Sequence, residues 1–180
     1  MARTTFQGPV RSLGGFYQQG PASVVDITTS TTLNPTDHAG RFLAIGGSLA
    51  AALTLTLPAI NVSANSVTSG PGQDPSTANN EGVTYTIWVP TTIATSSLKI
   101  TVTSGSSDVF VGSLMSVDTD TSGAMVGFTS SSNTFINLNG TTTGGVAGSW
   151  IQIVAIASDK YMVTGVILGS STVATPFANS

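Results

Sequence analysis

His38 is the only imidazole in the chain, and it sits beside Asp37 in the stretch NPTDHAG. A histidine next to a carboxylate raises the thought of a general base. Adjacency in sequence does not orient an imidazole, however, because base and orienting acid must meet in space. No serine lies in the G-x-S-x-G spacing of a nucleophile elbow. His38 therefore reads as a loop histidine with a local hydrogen bond, and the chain is not expected to be an enzyme. The acids include a single glutamate, so a glycosidase-type carboxylate pair could arise only if the fold gathered two distant acids. In DTDTSG (118–123), Asp118, Asp120, Ser122 and Gly123 fit the first half of a cation-binding loop. The closing bidentate acid is replaced by Thr129, and a β-turn capped by side-chain oxygens accounts for the same residues. No metal and no cofactor is expected. Without cysteine there is no thiolate chemistry, disulfide or Cys-based zinc site. The glycine-rich TTTGGVAGSW (141–150) precedes no helical pattern, so it reads as a flexible hairpin loop rather than a phosphate cradle.

Four aromatics on strand-like segments, Tyr85, Trp88, Trp150 and Tyr161, could form a sugar-stacking platform. Aromatics so placed more often fill a core or a subunit contact. The sequons NVS (61–63) and NGT (139–141) carry little weight, because residues 1–20 lack the apolar run of a secretory signal.

The elements that must position these residues read as β-strands. In VTYTIWVP (83–90), Val83, Tyr85, Ile87 and Val89 alternate with Thr84, Thr86 and Trp88. SLKITVT (97–103) does the same, and DVFVGSLMSV (108–117) carries Gly112 as a candidate bulge. SWIQIVAIASDKYMVTGVILG (149–169) reads as a hairpin turning at SDK. FLAIGGSLAAALTLTLPAI (42–60) is long enough to span a membrane, yet Leu53 to Leu57 alternate with period two, and Gly46-Gly47 and Pro58 punctuate the run. Strand, turn, strand is the better reading. A long polar loop covers 61–82. No helical period and no internal repeat stand out. The expected fold is all-β, an antiparallel β-sandwich or barrel over residues 23–180, preceded by an extended N-terminal arm over 1–22.

Charge narrows the partners. Charged residues make up 7% of the 180, the net charge is −3 and the pI about 4.6. Such a chain has no field for nucleic acid or an anionic membrane, and neither is an expected partner. Ser and Thr together supply 52 residues, so solubility rests on hydroxyls and amides, a surface prone to association. The arm concentrates what cation there is. Arg3 and Arg11 are two of five cations, no acid precedes Asp26, and Phe6, Phe16 and Tyr17 are its aromatics. An extended segment of this kind suits docking on a protein partner, the arginine forks meeting carboxylates and the rings filling pockets.

The phrases TTFQGPVRSLGGF, GPGQDPSTANNEGVTYTIWVPTTIATSSLKI and KYMVTGVILGSSTVATPFA resemble head structural proteins of tailed bacteriophages, especially marine ones, and among them decoration or cement proteins. The resemblance runs from Thr4 to Phe177 and includes no catalytic fingerprint. It implies a β-rich virion protein on the outer capsid surface, a homo-oligomer (trimer or dimer) that bridges subunits of the major capsid protein. A terminal arm commonly makes the capsid contact in that family, which gives Arg3, Phe6, Arg11, Phe16 and Tyr17 that role here. The alternative is a phage fibre or adhesin module binding a host glycan through Trp88, Trp150 and the long loops.

Overall fold

The computed structural model describes residues 20, 23–46, 51–63, 79–94, 96–120 and 123–179. The arm residues Arg3, Phe6, Arg11, Phe16 and Tyr17 lie outside the described residues, as does most of the polar loop.

Period-two alternation produces strands, and the order in which they are laid down produces the architecture. The chain enters on β1 (Val24–Ile27), crosses to β2 (Thr31–Thr32), makes one helical turn, α1 (Pro35–His38), and returns beside β1 as β3 (Phe42–Ile45). It crosses again to β4 (Leu53–Thr56), returns as β5 (Thr84–Trp88) and crosses a third time to β6 (Leu98–Thr101). A hairpin follows, β7 (Val109–Asp118) and β8 (Met125–Asn133), then β9 (Phe135–Leu138) in the other sheet. A second hairpin, β10 (Trp150–Ala157) and β11 (Lys160–Gly169), leads to β12 (Phe177–Ala178). One sheet has the order β1-β3-β5-β10-β11-β7-β8 and the other β12-β9-β6-β4-β2.

The fold is the all-β sandwich expected, with its sheets mixed rather than antiparallel. β1–β3, β3–β5, β2–β4, β4–β6 and β7–β11 pair in parallel. For the four pairs among β1 to β6 the cause is the winding. A strand that leaves one sheet, runs through the other and returns arrives in the direction in which it left, which forces a parallel neighbour. The first six strands thus climb as three coils, a structural repeat with no repeated sequence. β10 and β11 form the antiparallel hairpin expected over 149–169, β7 and β8 form a second one, and Gly112 lies at the irregularity between β7 and β8. Its φ is 128°, and a Cβ there would run into the Val163 carbonyl oxygen of β11, so glycine is required. The stretch read as a membrane span forms β3 and β4, one strand in each sheet, and no helix among the described residues is long and apolar enough to cross a membrane.

The core lies between the sheets. Leu43, Ile87 and Ile153 come from the larger sheet, and Leu55, Ile100 and Ile136 from the smaller. Two tyrosines are buried in the same interior. The Tyr161 hydroxyl donates to the Pro58 carbonyl at 2.6 Å, while the Tyr85 hydroxyl has no partner among the described residues. Burial holds both phenols neutral well above the ordinary tyrosine range, and Tyr161 also feels Tyr85 and Asp108.

These phenols set three expectations. Tyr85→Phe removes an unsatisfied buried polar group and raises stability by about 1 kcal/mol; Tyr161→Phe orphans a carbonyl and lowers it by about 1 kcal/mol. Opposite shifts of the urea midpoint check the pair, and equal shifts refute it. Because the folded pKa values are raised, stability is retained below pH ~10, where neither state ionises, and falls as pH rises further and only the unfolded chain loses protons. Alkaline unfolding curves of the two variants should each show a shallower decline than the parent.

Candidate functional site

The two outer faces of the sandwich differ in kind. On the smaller sheet, outward positions carry Thr54, Thr56, Lys99, Thr101 and Asn137, and the one aromatic, Phe135, is covered by the Lys99 ammonium 4.2 Å from its ring centre. On the larger sheet the outward positions mix polar residues with large exposed apolar ones. Apart from Val62, every exposed large hydrophobic residue among the described residues lies on its strands. Register arranges them in rows. One row runs Asp26, Ala44, Trp88, Trp150, Val166, Met115 and Gly127 across all seven strands. The row below it begins Val24, Phe42, Thr86, Gln152 and Thr164.

Where these rows cross β3, β5 and β10 there is a cavity of about 410 Å³, lined by Val24, Phe42, Thr86, Trp88, Gly148 and Trp150. Trp88 and Trp150 stand directly opposite each other in the antiparallel register, 42% and 40% exposed, and Phe42 is 56% exposed. The volume falls within the range of small-ligand pockets, about 300–1,000 Å³. The expected four-aromatic platform is split: Trp88 and Trp150 share this surface, whereas Tyr85 and Tyr161 point the other way and are fully buried. Alternation already separates Trp88 from Tyr85, since odd and even positions of β5 face opposite sides. Phe42 went unread because nothing in FLAIGG shows that the first strand residue faces out.

The segment 139–149 frames one side of the cavity. The expected flexible hairpin loop is instead tightly bonded. Asn139 Oδ1 accepts from the Thr141 and Thr143 N–H groups, and Asn139 Nδ2 donates to Thr142 Oγ1. Gly140 donates to the Gly144 carbonyl at 2.7 Å. Its φ is 75°, and a Cβ would run into the Ile93 carbonyl oxygen. Buried Ser149 fastens the end: its hydroxyl donates to the Val146 carbonyl at 2.7 Å and accepts the Leu168 N–H at 2.9 Å. Val89 and Ser149 are joined by their backbones, and Trp150 follows at once.

The remaining candidates are placed elsewhere. His38 is buried in α1, and its Nδ1 lies 3.0 Å from the Asn34 N and 3.2 Å from the Asn34 carbonyl oxygen, so its hydrogen bonding is local to the helix turn. Asp37 bonds to Asn34 rather than to His38; the Asn34 side chain caps the helix by accepting the Asp37 N–H at 2.8 Å. Asp118 Oδ1 accepts the Asp120 N–H at 3.0 Å, and Asp120 Oδ2 accepts the Ser171 N–H at 2.8 Å, so both carboxylates brace the turn between β7 and β8. Among the described residues no three His, Cys, Asp or Glu side chains converge as metal ligands. Asp108 is buried and accepts the Ile60 N–H at 3.1 Å. Compared with family models, with curated proteins and with solved structures, the chain shows no significant match to any of them.

Ser149→Ala should lower stability by about 1–2 kcal/mol, because it leaves the Leu168 N–H buried without an acceptor. The same substitution should shift the tryptophan emission, since Trp150 is the next residue. Denaturant unfolding followed by fluorescence reads both, and an unchanged midpoint would refute the fastening role.

Proposed function

We propose that this chain is a structural virion protein that binds the outer surface of a phage capsid and stabilises the shell by bridging its subunits without covalent bonds. The observation that carries this reading is the one-sidedness of the sandwich. One outer face exposes Val, Phe, Trp, Ile and Met side chains among its threonines and Gln152 across seven strands, and the other carries threonine, asparagine and lysine with no exposed large hydrophobic residue. A face of that size and composition belongs to an assembly contact. The sequence phrases that resemble tailed-phage head proteins support the choice of a capsid as the assembly. The body presents its polar face and loops to solvent. Residues 1–22 dock on the major capsid protein, Arg3 and Arg11 pairing with acidic groups and Phe6, Phe16 and Tyr17 acting as apolar anchors. Fully extended, such a segment reaches up to about 70 Å, enough to cross a subunit boundary. Repetition over a symmetric lattice makes weak contacts collectively strong.

A second reading is favoured by a specific observation, the opposed tryptophans beside the cavity. A sugar ring could lie against an indole there, with Thr86 and Gln152 in the adjacent row as hydrogen-bonding groups. Under that reading the chain is a fibre or adhesin module for a host glycan.

Co-sedimentation with undecorated phage heads separates the readings. The capsid reading expects saturable binding by the full chain, weakened at least tenfold in the Arg3→Glu, Arg11→Glu double variant and unaffected by added glycans. Failure of the full chain to bind heads, together with cell or glycan binding that Trp88→Ala abolishes while the circular dichroism spectrum is kept, would overturn it in favour of the adhesin.

A further inference from the structure

Among the described residues nothing covers the outward face of the seven-stranded sheet, and its composition indicates what does. Of the strand residues on that face only Asp26, on the edge strand β1, and Lys160, at the start of β11, are charged, one of each sign. A face with no net charge can meet its own copy without repulsion, and the isologous arrangement requires self-complementarity. Its area is also sufficient. Strands β7, β8, β10 and β11 have 10, 9, 8 and 10 residues, and β1, β3 and β5 have 4, 4 and 5. At the usual strand spacing and rise, the face covers roughly 800 Å². That is about what one partner contributes to a stable interface of standard size. The exposed apolar side chains run the whole width, from Val24 on the edge strand β1 to Met125 on the far edge strand β8. A single extended peptide would cover one strip of this surface, whereas another sheet would cover all of it, since sheets pack face to face about 10 Å apart.

We infer that this face takes a second copy of the chain, giving a two-fold dimer in which the larger sheets of two sandwiches pack against each other with Trp88 and Trp150 near the centre. The inference rests on reading that face as an assembly surface and names its partner. It leaves residues 1–22 to any shell contact.

The chain has two tryptophans, and both lie on this face, so their emission reports on its burial without interference from the core. The full chain should sediment as a species of twice 18.1 kDa at micromolar concentration. Its tryptophan emission should move to shorter wavelength as concentration rises through the dissociation constant. Phe42→Lys and Met162→Lys each place two like charges in a two-fold interface. Both residues are exposed, so the circular dichroism spectrum should be kept while dimerisation weakens at least tenfold. A full chain that stays monomeric up to about 100 µM overturns the inference. So does a trimer, or a dimer that neither lysine weakens, including one that is lost only when residues 1–22 are removed. The measurement needs no phage heads. A monomer that still binds heads refutes this interface and leaves the capsid reading standing; a lysine-sensitive dimer that binds no heads does the reverse.

Discussion

Leu43, Ile87 and Ile153 of one sheet share a single interior with Leu55, Ile100 and Ile136 of the other, and the rest of the molecule is placed by that shared packing. Each strand commits alternate residues to the interior, so the remaining alternate residues are committed outward whether or not they suit water. Trp88 faces out because Tyr85, Ile87 and Val89 face in. Trp150 faces out because Ile151 and Ile153 face in. The register of β5 against β10 then sets the two indoles opposite each other. No local preference of tryptophan is needed to explain their position.

The winding adds a second consequence. Parallel strands usually occur in sheets with both faces covered, because the crossover that joins them is commonly a helix lying on the sheet. Here the crossovers of the first six strands run through the opposite sheet. They satisfy the inner face, and among the described residues nothing lies over the outer face of β1, β3 and β5. That outer face is where Val24, Phe42 and Trp88 line the cavity. The other boundary of the cavity comes from a segment whose order owes nothing to a helix or a strand. Asn139, Thr141 and Ser149 supply side-chain hydrogen bonds that replace the missing ladder, and Gly140 supplies a backbone conformation no other residue would accept there.

What could be read from the residues was local. Alternation in 83–90, 97–103 and 149–169 yields the strands and their inner faces, and the Gly112 bulge follows from one glycine inside an apolar run. Strand order was not legible, because pairing β1 with β3 or β11 with β7 depends on contacts many residues apart, on which the alternating pattern has no bearing. The expectation of antiparallel pairing came from treating each turn signal as a hairpin, whereas β3 and β4 are joined across the sandwich. TTTGGVAGSW looked loose because its glycines permit many conformations in isolation, while its threonines and Asn139 select one. The aromatic face was half legible. The outward parity of Trp88 was visible in its segment, but its coincidence with Trp150 and Phe42 required the register.

Low charge gives the two faces their meaning. With 7% charged residues, the chain cannot rely on like-charge repulsion to stay dispersed, so the separation of its surfaces has to come from hydration of hydroxyls and amides. The smaller sheet does this with threonines and asparagine and even covers Phe135 with a lysine. The larger sheet intersperses Thr84, Thr86, Gln152 and Thr164 among exposed Trp, Phe and Met side chains, and its only charged strand residues on that face, Asp26 and Lys160, stand at the margins. A chain selected only for solubility would distribute its few charges over the face that most needs them. The strand positions of the polar face carry one charge, Lys99, and those of the apolar face two, Asp26 and Lys160 at its margins, so the exposure of Phe42, Trp88, Trp150 and Met115 between them follows if the apolar face is covered in the working assembly.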